Sequence, residues 1–554
     1  MTITGARTTQ ADTVFVGGQV FTAGLTTSRP GAVAVTHGRI AAVGTDAEVH
    51  ELVGPGTDVV DLRGGLLVPG FQDAHAHPVV AGVDLLHCDI HHCRSADEAL
   101  ALIADYAASH PDLPWILGSG WSMEHYPGGT PTRQMLDRVV PDRPAYFPNR
   151  DGHGVWVNTR ALEIAAITAS TPDPEDGRIE REPDGGPAGT LHEGAGDLVG
   201  HLLPPVERDE QLRGLTVAED FLFALGITSW QDAAVGEMFG QRDILPVYLE
   251  AAATGDLRAR VVGSLWWDRA RSSDQVADLV ERRGAGGVGR FSPTTVKIML
   301  DGIAENFTAA MLEPYEDGCG CQTENDGLDF VDPVGLKEYV TKLDAAGFQV
   351  HFHALGDRAV RHALDALEVA RATNGPTEGR HHLAHLQVVH PDDIARFARV
   401  GATANIQALW AAHEPQMDEL TIPFLGERRT GWQYPFADLE RAGARLAAGS
   451  DWSVSSADPL DGIHVAVNRR VPGKAGAAPL GESQALSLAS AMTAYTAGSA
   501  RVNHQDDTTG ALVVGMYADL AVLDRDPFNG PAEAISEATV THTYVEGDCV
   551  FRRD

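Results

Sequence analysis

The chain has 554 residues, with 42 Lys plus Arg against 77 Asp plus Glu and a formal charge of −35. That length exceeds one ordinary hydrophobic core and predicts two or three domains, while 43% hydrophobic and 21% charged residues are those of a soluble globular protein. The acidity is spread along the chain and not gathered into a tail, which argues against nucleic acid and anionic membrane as partners.

At the N-terminus, "MTITGARTTQADTVFVGGQV" has no long apolar core before a cleavage site, so no signal peptide is expected. No run of about 18 uncharged apolar residues occurs, and a cytoplasmic enzyme is the expectation. Within 1–65, "TVFVGGQVFT", "GAVAVTHGRIAAVG" and "DVVDLRGG" alternate apolar and polar residues between glycines, as short strands do. The last segment, 508–554, reads likewise in "TTGALVVGMYADLAVLD" and "ATVTHTYVEGDCVFR". Neither end has enough strands for a stable sheet alone. The two are therefore expected to pair into one small β-sandwich.

From residue 66 the pattern changes to strand, then helix, repeatedly. "GFQDAHAH" supplies the first strand, in 66–95. An interruption follows at 96–204, too long for the usual few tens of residues in one βα unit. Its Pro/Gly-rich stretches "MEHYPGGTPT" and "REPDGGPAGT" predict an inserted α+β subdomain over the first strand. Across 205–507 seven more strands are expected, in "GITSWQDA", "RARVVGSLWW", "TTVKIMLDG", "FQVHFHALGD", "RHHLAHLQ", "ATANIQAL" and "ARLAAGSD". Most follow a helical stretch that ends near Gly. Eight such strands close a parallel (β/α)8 barrel of the TIM type.

Chemistry-bearing residues recur in phase with that pattern. His75 and His77 are spaced i, i+2 at the end of the first strand, a spacing that puts both imidazoles on one face. Lys297, His353, His385 and Asp451 hold the corresponding ends of strands four, five, six and eight, the face where such barrels do their chemistry. Each has an ordinary reading: a hydrogen-bonded core histidine, a salt-bridged lysine, an aspartate capping a helix. Five or six independent residues meeting on one rim disfavour all the ordinary readings together.

Other residues are less specific. The five cysteines form no disulfide framework, and "CGC" at 319–321 lacks the second pair that a thiolate metal site wants. Trp121, Trp266 and Trp410 are candidate substrate contacts, with Trp267 beside them, although core roles compete. His153, in "RDGHGVWVN", is a candidate for orienting substrate or for steadying its loop. Asp301 reads either as support for the rim or as a helix cap, and Asp357 as a brace for the loop after strand five.

"PGFQDAHAH", "HALGDRA", "HLQVVHPDDIARFARVGATANIQ", "GSDWSV" and "YTAGSAR…GALVVGMYADLAVLD", in that order, resemble the amidohydrolase superfamily, in its amidohydrolase-3 branch, over nearly the whole chain. The nearest activity is deformylation of N-substituted formamides. The resemblance implies a (β/α)8 barrel with a split β-sandwich and an insertion. It implies that His75, His77, His353 and His385 are metal ligands, Asp451 the catalytic aspartate and a further ligand, and Lys297 a CO2-carboxylated bridge in two-metal members. The expected cofactor is a divalent metal, Zn2+ as one or two ions, since imidazoles and carboxylates suit zinc. The expected partner is a small-molecule amide, with a homodimer compatible with this reading. The expected reaction is hydrolysis of a non-peptide C–N bond in an N-acyl or N-formyl amide of a small amine. Deaminase, cyclic-amidase and ester-hydrolase activities need the same site, and a silent binding protein on this scaffold would have lost ligands that are all present here.

Overall fold

The computed structural model of the protein describes residues 10–237 and 242–553. The first nine residues of the segment read above for a signal peptide lie outside them. Eight parallel strands form the barrel: β1 (Phe71–Ala76), β2 (Ile227–Val235), β3 (Arg260–Trp266), β4 (Phe291–Met299), β5 (Gln349–Ala354), β6 (His382–His385), β7 (Thr403–Ile406) and β8 (Arg445–Ala448). They neighbour one another in sequence order from β1 to β8. The seam between β8 and β1 is closed just past β8. Asp451 N–H donates to His75 O at 2.7 Å, and Asp73 accepts both the Ser450 hydroxyl and the Ser450 N–H. A Cβ at Gly449 would lie 2.7 Å from the backbone nitrogen of His75, so this crossing requires glycine.

Strand alternation sorts the side chains. On β5, Val350 and Phe352 join the apolar layer between strands and helices, while Gln349, His351 and His353 take the opposite face, into the barrel. That interior is polar and cross-linked. His351 Nε2 lies 2.9 Å from His75 Nδ1, Gln231 bonds Gln349 at 3.1 Å, and Asn405 Nδ2 reaches Ala74 O at 2.9 Å. Helices such as Pro333–Ala345 start where the sequence marks them: Asp332 accepts the Gly335 N–H at 2.7 Å and Pro333 occupies the first turn.

The two chain ends build the β-sandwich. Its seam is the antiparallel pair of Leu66–Pro69 with Leu520–Leu523, above a core that includes Phe15 against Tyr544 at 5.0 Å. Leu66–Pro69, expected with the first barrel strand, therefore belongs to the sandwich; the chain crosses into the barrel at Gly70. The insertion holds a six-stranded sheet that begins earlier than expected, at Cys88–Asp89, and ends at Pro187–Glu193 and Gly177–Arg181. No helix among the described residues is long and apolar enough to cross a membrane.

Candidate metal centre and active site

At the C-terminal mouth of the barrel, ligand atoms of His75, His77 and Asp451 lie within 4.8 Å of one another. Both Nε2 atoms approach the same oxygen, Asp451 Oδ1, at 3.2 Å from His75 and 3.0 Å from His77. Lys297 Nζ is 3.3 Å from His75 Nε2. His385 Nδ1 is 3.9 Å from Asp451 Oδ2. His353 stands at the edge of the group, its ring 4.5 Å from that of His385, with Nε2 3.4 Å from Gly302 O and 3.8 Å from Asp301.

His385 reaches this group by an irregular route. His382 points into the barrel, 3.0 Å from Gln231 Oε1. Three positions later, regular alternation would turn His385 outward with Leu383. Its φ of 79°, followed by 51° at Leu386, breaks the strand and swings the ring back over the mouth. Asp451, at φ 56°, is held in the same sparsely populated region. Such strain persists where surrounding contacts fix it, and it clusters at functional sites.

The donors suit a divalent metal. His77 Nδ1 and His385 Nδ1 are buried without a hydrogen-bond partner among the described residues, the kind of group that needs an explanation in a native structure. Burial, reinforced by Lys297, pushes His75 down to about 3, and burial likewise pushes His353 and His385 well below the usual imidazole range. Neutral imidazole is the ligand form. Burial also pushes Lys297 down to about 7, against the opposing pull of Asp451.

The cavity over these residues has a volume of about 240 Å³. Val80, Leu117, Tyr146, Leu203 and Val206 give it an apolar side. His153 also lines it, with Nδ1 2.8 Å from Glu193 Oε2. Burial alone would lower His153, but the Glu193 carboxylate outweighs it and lifts the imidazole to about 9. Glu193 is braced by the Thr308 hydroxyl at 2.7 Å. Among the described residues His153 Nε2 has no hydrogen-bond partner, which leaves that nitrogen open to a ligand in the cavity. Sequence reading missed Glu193: it stands 40 residues from His153 in the insertion, where no strand period links the two.

The tryptophans separate. Trp121 is 1% exposed, donates to Phe147 O at 2.8 Å and packs on Tyr126, so it belongs to the insertion's core and does not line the cavity. Trp267 is likewise core, against Tyr339. Trp266 lines the metal cavity, and Trp410 stacks on His385 at 5.2 Å and 5°. Asp301 and Asp357 are braces: Asp301 accepts three backbone N–H groups and Asp357 accepts that of Leu312 at 2.8 Å. Cys319 and Cys321 are exposed and, among the described residues, join no ligand group.

The family model described as "Amidohydrolase family" matches residues 58–551. The chain belongs to the amidohydrolase family. It is thus a hydrolase on a barrel scaffold whose superfamily members are metal-dependent. Protein LONG AFTER FAR-RED 3 of Arabidopsis thaliana is 30% identical over 551 residues, spanning 98% of this chain and 92% of that protein. N-substituted formamide deformylase of Arthrobacter pascens is 28% identical over 571 residues, spanning 99% of each. Among solved structures, an uncharacterized metal-dependent hydrolase from Pyrococcus horikoshii OT3 superposes with a TM-score of 0.71 at 25% identity, over 94% of this chain and 99% of that one.

Proposed function

We propose that this amidohydrolase cleaves a non-peptide C–N bond, in an N-acyl or N-formyl amide of a small, partly apolar amine. The observation that carries the reading is the convergence of His75, His77 and Asp451 within 4.8 Å beneath a cavity with one apolar wall. Zinc is the proposed metal; His75, His77 and Asp451 would hold it, with His353, His385 and Lys297 available as further ligands for one ion or two. Carboxylation of Lys297 is supported by its place 3.3 Å from His75 Nε2, with no described carboxylate within 4.0 Å of Nζ; an unpaired buried ammonium is costly, and a carbamate replaces it with an anion. When bound, a metal would supply a water of pKa lowered toward about 7 and a Lewis acid for the carbonyl.

The protein's own groups perform the remaining work. Asp451 takes the proton of the attacking water and delivers it to the leaving nitrogen, which would otherwise depart as an unstable amide anion. His153, kept protonated by Glu193, donates its free N–H to the substrate carbonyl oxygen, where negative charge grows. The apolar side of the cavity takes the substituent and limits access of bulk water. A panel of N-formyl and N-acetyl amides, scored for released amine with and without chelator, tests the reading. Chelator-sensitive release from members of the panel is expected, and no release from any member after reconstitution with several divalent metals would overturn it.

A further inference from the structure

A second and larger chamber, of about 610 Å³, adjoins the metal cavity over the same barrel face. The two share a wall that includes Asp84, Arg150, Asp151 and Ser453. Trp410, whose face is stacked on His385, lines the chamber and so links it to the metal centre. Tyr434 lines the chamber as well, and so does Phe221, which is exposed and stacks on Trp452 at 4.7 Å and 11°.

Its charge is one-sided. Glu305, Glu414 and Asp461 line it, and none forms an ion pair among the described residues. Glu305 accepts only the Thr421 hydroxyl, at 2.6 Å. Arg150 is the single described arginine or lysine in the lining, and it lies 4.0 Å from a different carboxylate, Glu124.

Acidic groups alone would say little in so acidic a chain. Two buried polar groups say more. Tyr434 and Gln387 are each 2% exposed and line the chamber. The Tyr434 hydroxyl has no hydrogen-bond partner among the described residues, and the Gln387 side chain uses only its Nε2, toward Gln433 at 3.3 Å, leaving its Oε1 free. Buried polar groups left open toward a cavity are groups that a ligand can satisfy.

We propose that this chamber binds a cationic ammonium head on the substrate, while the scissile amide occupies the metal cavity. The inference rests on the amide-hydrolase reading only for what lies at the metal end. An ammonium offers donors or a diffuse positive surface. The chamber offers acceptors at Gln387, Glu305 and Asp461, and aromatic faces that attract cations, most strongly when desolvated. An anionic head would meet three acidic side chains that have no ion pair, beside Asp84, Asp89 and Asp151, against one guanidinium. The net charge of −35 also raises the local concentration of cations near the mouth. The substrate class is therefore an acylated amine that carries a second, positively charged nitrogen.

The test is a binding comparison on the metal-loaded protein. Choline and its neutral isostere 3,3-dimethyl-1-butanol are titrated by calorimetry into the parent and into the Glu305→Gln/Glu414→Gln double variant. The parent should bind choline at least about tenfold more tightly, as desolvated cation–π and ionic contacts would give, with the preference shrinking as salt rises. In the double variant the preference should fall to within about twofold. Equal affinities in the parent, or a preference that the double variant retains, overturns the proposal. Thermal melting checks the fold, and Glu414→Gln alone serves if the double variant is unstable, because Glu414 is exposed. Because no turnover is read, the outcomes separate. Amides cleaved without a choline preference refute the chamber alone, and a choline preference without amide cleavage refutes the bond assignment alone.

Discussion

Asp301 is the keystone of the loops that carry His353. Its carboxylate is fully buried and accepts the N–H groups of Ala310 and Gly356 on Oδ2, each at 2.9 Å, and that of Leu355 on Oδ1, at 3.1 Å. Asparagine has the same shape but one acceptor oxygen. The less costly orientation keeps the two bonds at Oδ2 and turns the amide toward Leu355, whose N–H is then buried without a partner. A buried unsatisfied group costs about 1–3 kcal/mol. Leu355 lies two residues beyond His353, so relaxation of that loop displaces the imidazole. Asp301→Asn should therefore lose about 1–3 kcal/mol of stability, and its metal affinity should fall by several-fold. Denaturant melts give the first quantity, and competition against a chromogenic chelator gives the second. A variant as stable as the parent, with the same metal affinity, would refute the assignment of Asp301 as the brace.

Four further outcomes are expected. His353→Ala should lose bound metal and activity together, and full metal content with parental turnover would remove His353 from the ligand set. Asp451→Asn should fold and largely retain metal while turnover drops about 10²–10⁴-fold, the usual cost of losing a general acid–base group; a near-parental rate would reduce Asp451 to a loop residue. Lys297→Ala should lose metal, with partial recovery in the presence of short-chain carboxylic acids, and continuous unmodified density at Lys297 beside one fully occupied metal would establish a one-metal site.

The fourth concerns pH. Burial opposes ionisation of Asp344, but hydrogen bonds from His381, Thr377 and Asn374 prevail and hold it at about 2. A depressed carboxylate stabilises above its unfolded pKa of about 3.9 and loses that contribution as pH falls through the folded value. Asp344→Asn should cost about 2 kcal/mol near neutrality, and the melting gap to the parent should narrow between pH 4 and 2. A gap independent of pH in that range would contradict this account.

The eight barrel strands were legible because each carries its apolar run and ends at a polar rim residue in phase with the βα repeat. The rim set of His75, His77, Lys297, His353, His385 and Asp451 was legible for the same reason, although the geometry of His385 was not. Its side chain turns inward only because the strand breaks at a positive φ, and no residue type announces that. Trp121 was misread because bulk says nothing about which side of a sheet a ring faces. Leu66–Pro69 was assigned to the barrel because its apolar run continues into β1, yet Gly70 marks a change of sheet. Glu193 and the Tyr434–Gln387 pair were invisible because their partners lie in other elements, and only packing brings them to a cavity.

The central claim is that a metal at His75, His77 and Asp451 enables hydrolysis of an amide C–N bond. The most direct measurement is a titration of metal-stripped protein with zinc, in which hydrolysis of an N-formyl amide and bound metal are recorded on the same samples. The account predicts turnover near zero in the stripped protein, rising in proportion to occupancy and reaching a plateau at one or two ions per chain. Turnover of the stripped protein equal to that of the loaded one, or zinc bound stoichiometrically with no amide cleaved, would contradict it.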